Sequence, residues 1–215
     1  FRGYLQTWCY FNLNPYVLRV PDVLFDQPVL DETGGNLSRV LFMLHNENPR
    51  LEKKIIECVS SLEPKLDLLT FNSPDPQHVY FFVEDSEGNR FSTQSLSDGT
   101  LRFLAITYLI LSAAHGIPSL GVSPLYLVEE PENGLYVGYL KPLLEKIDPT
   151  GKCGQFVFTS HSPYFIDLFD KNIDGLHLLR RGKPSSSLVR PDPIKIKQLL
   201  SEMPLGEMHF RELLG

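Results

Sequence analysis

Two short apolar runs, each stopping at a cluster of chemically useful side chains, constrain this chain more than any other feature. Leu125-Tyr126-Leu127-Val128 runs directly into Glu129-Glu130-Pro131-Glu132-Asn133-Gly134, and Gln155-Phe156-Val157-Phe158 runs into Thr159-Ser160-His161-Ser162-Pro163. Apolar runs of strand length, separated by helix-length segments, predict a parallel sheet with helices on both faces and both strands buried. In such sheets ligands bind beyond the carboxyl ends of the strands. That rule singles out Glu129-Glu130 and Ser160-His161, because each pair sits where an apolar strand stops.

The flanking segments fit the same pattern. Helices are expected over about Gly99–Ala114, Leu135–Lys146 and Tyr164–Phe169, the last opened by Pro163 in a position suited to a first helical turn. Upstream, an irregular aromatic stretch leads to a helix over about Leu37–Asn46, launched by Gly34-Gly35-Asn36. A second helix is expected over Leu51–Leu62, with Ile55, Ile56, Val59 and Leu62 at helical spacing. Ser73-Pro74-Asp75-Pro76 reads as a loop, and Val79–Val83, the turn Glu87-Gly88-Asn89 and Arg90–Thr93 read as a hairpin. The expected organisation is a partial helical subdomain with its irregular lead-in over residues 1–76, followed by a C-terminal lobe over 77–215.

Composition excludes several classes. The 215 residues are 42% hydrophobic and 21% charged, the balance of a globular chain able to bury a core. The longest apolar stretch, Leu101–Ala114, is broken by Thr107 and Ser112 and is shorter than the roughly 20 residues that span a bilayer, so no membrane partner is expected. No secretory signal is visible in residues 1–20. Cys9, Cys58 and Cys153 are odd in number and widely spaced, which argues against a disulfide framework or a zinc knuckle and for a reducing cytoplasm. A net charge of −6 confines any DNA contact to a local basic strip. Arg180-Arg181-Gly182-Lys183 is the one cluster of note, and a solvated hairpin turn accounts for it more simply.

The strand ends suggest specific chemistry. Mg²⁺ prefers carboxylate and water oxygens, so Glu129 is suited to orient a metal-bound water, while Glu130 is suited to polarise water attacking a γ-phosphate. The bland alternative is a solvated strand-to-helix turn punctuated by Pro131. His161 is placed to hydrogen-bond a phosphate oxygen or the attacking water, whereas His45, His78, His115, His177 and His209 read as structural. Leu96-Ser97-Asp98-Gly99-Thr100-Leu101-Arg102 opens a long helix, with Ser97 as its cap and backbone amides available to an anion. Taken alone, that motif is only a good helix start.

Together the three motifs are far more specific. In order and type, LSDGTLR, PLYLVEEPENGLY and FVFTSHSPYFIDLF resemble the signature, Walker B with D-loop, and switch region of ATP-binding-cassette ATPases. The SDGTLR and EEPENG forms are most similar to RecF/SMC-like heads. The resemblance implies a P-loop NTPase-like α/β fold, a parallel sheet flanked by helices with a small helical subdomain and a β-hairpin. It implies ATP and Mg²⁺ as cofactors, Glu129 on the metal, Glu130 as catalytic base and His161 as the switch histidine, with Ser160 beside it. Ser97, Asp98 and Gly99 then match the signature that meets the nucleotide of an opposite subunit, and Glu132, Asn133 and Gly134 match the D-loop crossing the same interface. The likeness is firm over about residues 92–170 and extends to Gly35-Asn36-Leu37 and the closing Pro204-Leu205-Gly206-Glu207. Tyr136-Val137 departs from the His-Pro that relatives often carry.

The larger departure is that GxxxxGK[ST] occurs nowhere in the sequence; Gly151-Lys152-Cys153 lies downstream of the carboxylates and reads as a surface loop. The phosphate cradle is therefore expected from outside this sequence. With Phe1 rather than Met at its start, the chain is expected to be a fragment of an ATP-sandwich homodimer, or the partner of a P-loop-bearing chain, acting in DNA maintenance or defence. The alternative is a degenerate, non-hydrolysing regulatory or scaffold module.

Overall fold

The computed structural model describes residues 7–20, 22–23, 29–61, 66–75, 77–116, 124–152 and 154–214. The expectations for Phe1, Leu62, Pro76 and Cys153 lie outside these residues. The chain forms two compact units, Phe1–Thr159 and Ser160–Gly215. The strands on either side of the boundary expected at 76/77, Leu66–Asp75 and His78–Asp85, pair with each other in one sheet.

The first unit is organised around a parallel three-stranded sheet in the order β1 (Trp8–Phe11), β6 (Leu125–Glu129), β7 (Gln155–Thr159). Trp8 pairs with Leu125 and Phe11 with Val128, while Leu125 pairs with Gln155 and Glu129 with Thr159. β1 is a strand that Trp-Cys-Tyr-Phe does not advertise, since its four residues show no polar–apolar alternation. β7 also differs from expectation. It pairs with β6 alone among the described residues and its side chains alternate between exposed and half-buried, with Val157 39% exposed, so it is not a buried strand.

An antiparallel sheet holds β2 (Asp22–Val23), β3 (Leu66–Asp75), β4 (His78–Asp85) and β5 (Arg90–Ser92), in the order β2-β4-β3 with β5 pairing β4. The expected β4–β5 hairpin is present. β3 is the unexpected member: it runs through Ser73-Pro74-Asp75, past a register shift between Asn72 and Asp75, where the sequence suggests a loop. Pro74 falls within that irregular end of the ladder, where proline's missing N–H interrupts no regular pairing.

Helices α1 (Pro15–Leu18), α2 (Leu37–Glu47), α3 (Pro49–Val59) and α4 (Asp98–Ala114) complete the core. Pro49 at the first helical position and the Asn48 side chain, which accepts from Leu51 N at 3.1 Å, start α3 two residues earlier than its apolar pattern alone suggests. α4 is buried almost all round, with Leu101, Phe103, Leu104, Ile106 and Ile110 at 1% exposure or less. Each such side chain contributes on the order of 1.5–3 kcal/mol of burial, which makes α4 the spine of the unit. The helix expected over Leu135–Lys146 is instead a 3-10 turn at Val137–Tyr139 and a short helix α5 (Lys141–Leu144). Pro142 has no N–H to continue a helix from upstream and its ring opposes residue 138.

The second unit is small and built on short elements: α6 (Pro163–Ile166), a hairpin of β8 (Leu178–Arg180) and β9 (Ser187–Val189), α7 (Pro193–Leu199) and α8 (Leu205–Phe210). Arg181-Gly182-Lys183 forms part of the exposed link between β8 and β9, as the simpler reading anticipates. Its core is Ile166, Ile173, Ile196, Leu205, Met208 and Leu214. Gly206 lies against the Pro163 carbonyl, where a side chain would collide, and its amide donates to Asp167 Oδ1 at 2.6 Å. Among the described residues no helix is long and apolar enough to cross a membrane.

Candidate functional site

β6 delivers its carboxylates to a strained turn. The chain passes from Glu129, still in the strand, to Glu130 at φ +39°, a left-handed value that a glutamate rarely adopts. Two bonds hold that turn: Glu130 N donates to Thr159 O at 3.0 Å, and Asn133 N donates to Glu130 O at 3.0 Å. The Asn133 side chain also donates to the Glu130 carboxylate. Strain of this kind costs on the order of 1–3 kcal/mol and persists where the surroundings over-determine it.

Glu129 faces β1. Asn12 Nδ2 donates to Glu129 Oε2 at 3.0 Å, and the Tyr10 phenol, hydrogen-bonded to the same carboxylate, has its pKa raised by that contact. Neither Tyr10 nor Asn12 stands out in the sequence. No local sequence signal marks them, since they come beside Glu129 only because β1 pairs with β6. A single carboxylate beside an amide suits Mg²⁺, which keeps several waters and leans on phosphate oxygens, better than a metal caged by protein alone. Among the described residues no group of three His, Cys, Asp or Glu side chains is arranged to hold a metal by itself.

The signature-like turn lies against the turn that follows Glu130. Ser97 caps α4, its Oγ accepting from Thr100 N at 3.0 Å, with backbone angles of −68° and 156° that keep it outside the helix. Gly99 is buried and in contact with the carbonyl oxygen of Gly134, itself in a left-handed conformation at φ +74°. A side chain at Gly99 would collide with that oxygen, so the glycine is required by close approach of two backbones. The Leu135 side chain closes the same contact. Arg102, one turn into α4, links the two motifs electrostatically. Burial lowers its pKa while the charges of Asp98 and Glu130 oppose that shift.

The first unit thus brings together Ser97, Asp98 and Gly99 with Glu132, Asn133 and Gly134, and carries Glu129 and Glu130 on the adjoining strand end. Glu132 is 8% exposed, whereas Asn133 and Gly134 are exposed. Ser160 and His161 follow β7 directly and open the second unit. There Ser160 Oγ accepts from Ser162 N at 2.9 Å, Ser162 caps α6 and His161 is exposed.

Residues 29–167 match the family described as "AAA domain, putative AbiEii toxin, Type IV TA system". The chain belongs to this AAA-domain family. No curated protein matches it. Its fold is the P-loop NTPase fold of SMC ATPase heads. A structure described as "Structural biochemistry of ATP-driven dimerization and DNA stimulated activation of SMC ATPases" is 14% identical, with a TM-score of 0.50 over 75% of this chain and 96% of that one. The SmcHead bound to the C-winged helix domain of ScpA is 16% identical, with a TM-score of 0.52 over 77% of this chain and 48% of its own. The Smc head domain with an extended coiled coil, bound to the C-terminal domain of ScpA, from Pyrococcus furiosus is 13% identical, with a TM-score of 0.50 over 76% and 40%. This chain therefore spans less than half the length of the last two.

Proposed function

We propose that this chain is the signature- and carboxylate-bearing part of an ATPase head that closes as an ATP sandwich, with the P-loop supplied by a further segment or by a partner. The observation that carries this reading is the close backbone approach of Gly99 to Gly134, which sets the helix-capping Ser97-Asp98-Gly99 turn against the turn leaving Glu130. Membership in an AAA-domain family and the head fold support it. Glu130, held by Asn133, polarises the attacking water, and Glu129, steadied by Asn12 and Tyr10, orients the metal shell. Mg²⁺, when bound, neutralises charge on the transferring phosphoryl group. His161, with Ser160 at the start of the same turn, holds a phosphate oxygen or the water. Ser97, Asp98 and Gly99 offer a helix N-terminus to the nucleotide of the opposite subunit, and Glu132-Asn133-Gly134 crosses the same interface. A cytoplasmic role in DNA maintenance or defence fits such a head.

The test uses the chain joined to a P-loop-bearing segment, with dimerisation followed by size exclusion in ATP. Ser97→Arg is expected to abolish ATP-dependent dimerisation and to leave nucleotide binding by the dilute monomer intact. Equal loss of monomer binding would show that Ser97 serves its own subunit. No dimer and no turnover in the unmodified protein would favour a non-hydrolysing module instead.

A further inference from the structure

The turn that opens α4 is held from outside its own helix. Arg19 terminates α1, and its side chain, 15% exposed, reaches across to the loop between β5 and α4. Nη1 donates to Thr93 O at 2.6 Å and to Leu96 O at 2.7 Å, and Nη2 donates to the Asp98 carboxylate. The loop answers through Thr93 Oγ1, which donates to Arg19 O at 2.9 Å, and Gln94 Nε2, which does so at 3.4 Å. A planar guanidinium with a fixed fork of donors can hold three acceptors at once, which an ammonium cannot do in the same geometry.

Two of these contacts bear directly on Ser97-Asp98-Gly99. The Leu96 carbonyl and the Ser97 N–H belong to one planar peptide, so fixing the oxygen fixes the direction of the amide. Asp98 occupies the first position of α4, where an unpaired carboxylate settles over the positive end of the helix and occupies the place of an incoming anion. Arg19 draws that carboxylate to one side. Gly99 packs closely against the Gly134 carbonyl. The turn is therefore clamped between α1 and the turn that leaves Glu130.

We propose that Arg19 is a positioning residue for the signature turn: it sets the Leu96–Ser97 peptide plane and holds the Asp98 carboxylate off the helix N-terminus, so that the turn accepts a partner subunit's nucleotide phosphate. This rests on the reading that Ser97-Asp98-Gly99 acts across an ATP sandwich.

The experiment compares Arg19→Gln, Arg19→Lys and Arg19→Gln combined with Asp98→Asn in the P-loop-bearing protein. Arg19→Gln is expected to weaken ATP-dependent dimerisation about 10- to 100-fold, the worth of a lost charge-assisted contact, while monomer nucleotide affinity stays unchanged. Adding Asp98→Asn restores part of the loss, because the carboxylate that Arg19 restrained is gone. Arg19→Lys falls between, keeping the ion pair without the fork. Arg19→Gln dimerising like the unmodified protein, or Asp98→Asn deepening the defect, overturns the proposal; a merely structural role gives no rescue. Amide hydrogen exchange without nucleotide separates this from the function it rests on. Arg19→Gln is expected to speed exchange over residues 93–101 while the rest of α4 keeps its protection. If the unmodified protein never dimerises in ATP, the sandwich reading falls, and unchanged exchange over 93–101 would then overturn the role of Arg19 as well.

Discussion

β6 and β7 are neighbours of equal length, run parallel, and read almost alike in sequence, yet they are used differently. β6 lies between two strands with Leu125, Tyr126 and Val128 buried, and its end is fastened by Asn12, just after β1, and by Thr159 from β7. β7 has a described neighbour on one side only, and its Gln155, Val157 and Thr159 are exposed. Phe156 stacks on Tyr126 of β6 at 4.7 Å, which adds to the ladder that holds β7 to β6. An apolar run therefore identifies a strand without saying how many of its sides are covered. The doubly flanked strand is the one that ends in the strained turn at Glu130.

The largest expected effect lies at the end of β6. In a protein supplied with a P-loop, Glu130→Gln should lower steady-state ATP turnover about 10²–10⁴-fold, the usual worth of a general base, and let the ATP-bound dimer accumulate. Turnover near the unmodified rate, or a His161→Ala loss just as large, would break the distinction between the two strand ends. The next effect is on stability. Val128→Ala deletes two buried methyl groups and should cost about 2 kcal/mol in urea denaturation, whereas Val157→Ala should cost less than about 0.5 kcal/mol. Equal costs would mean that β7 is covered in the folded protein.

The smallest effect concerns Tyr10. Its phenol is raised above the ordinary tyrosine range, first because it donates to Glu129 and then by partial burial and the carboxylate charge. The contact is fully present below the ordinary tyrosine pKa and is lost as pH rises through the raised value. Glu129→Gln removes the charge, so this tyrosine should titrate at lower pH, read by absorbance against a Tyr10→Phe control. An unmoved titration would detach β1 from the Glu129 carboxylate.

Local patterns made much of this molecule legible. Ser97 caps its helix where a serine before a glycine and an apolar run predicts, the β4–β5 hairpin turns at Glu87-Gly88-Asn89, and Glu129-Glu130 stands at a strand's carboxyl end. The misses have separate causes. β1 has no alternation to reveal it, and β3 continues through a proline because β4 supplies a partner. The segment after Leu135 breaks at Pro142 despite its apolar content.

The sequence by itself determined where the Glu87-Gly88-Asn89 hairpin turns, which strands end in carboxylates or hydroxyls, and that Leu101–Ala114 is the longest apolar stretch, because these depend on neighbours within a few residues. Tertiary structure alone decided that Asn12 meets Glu129 across 117 residues, that Arg19 meets Asp98 across 79, and that Gly99 touches Gly134. Such contacts follow from how buried faces pack, and packing is a property of the whole core that no local period records.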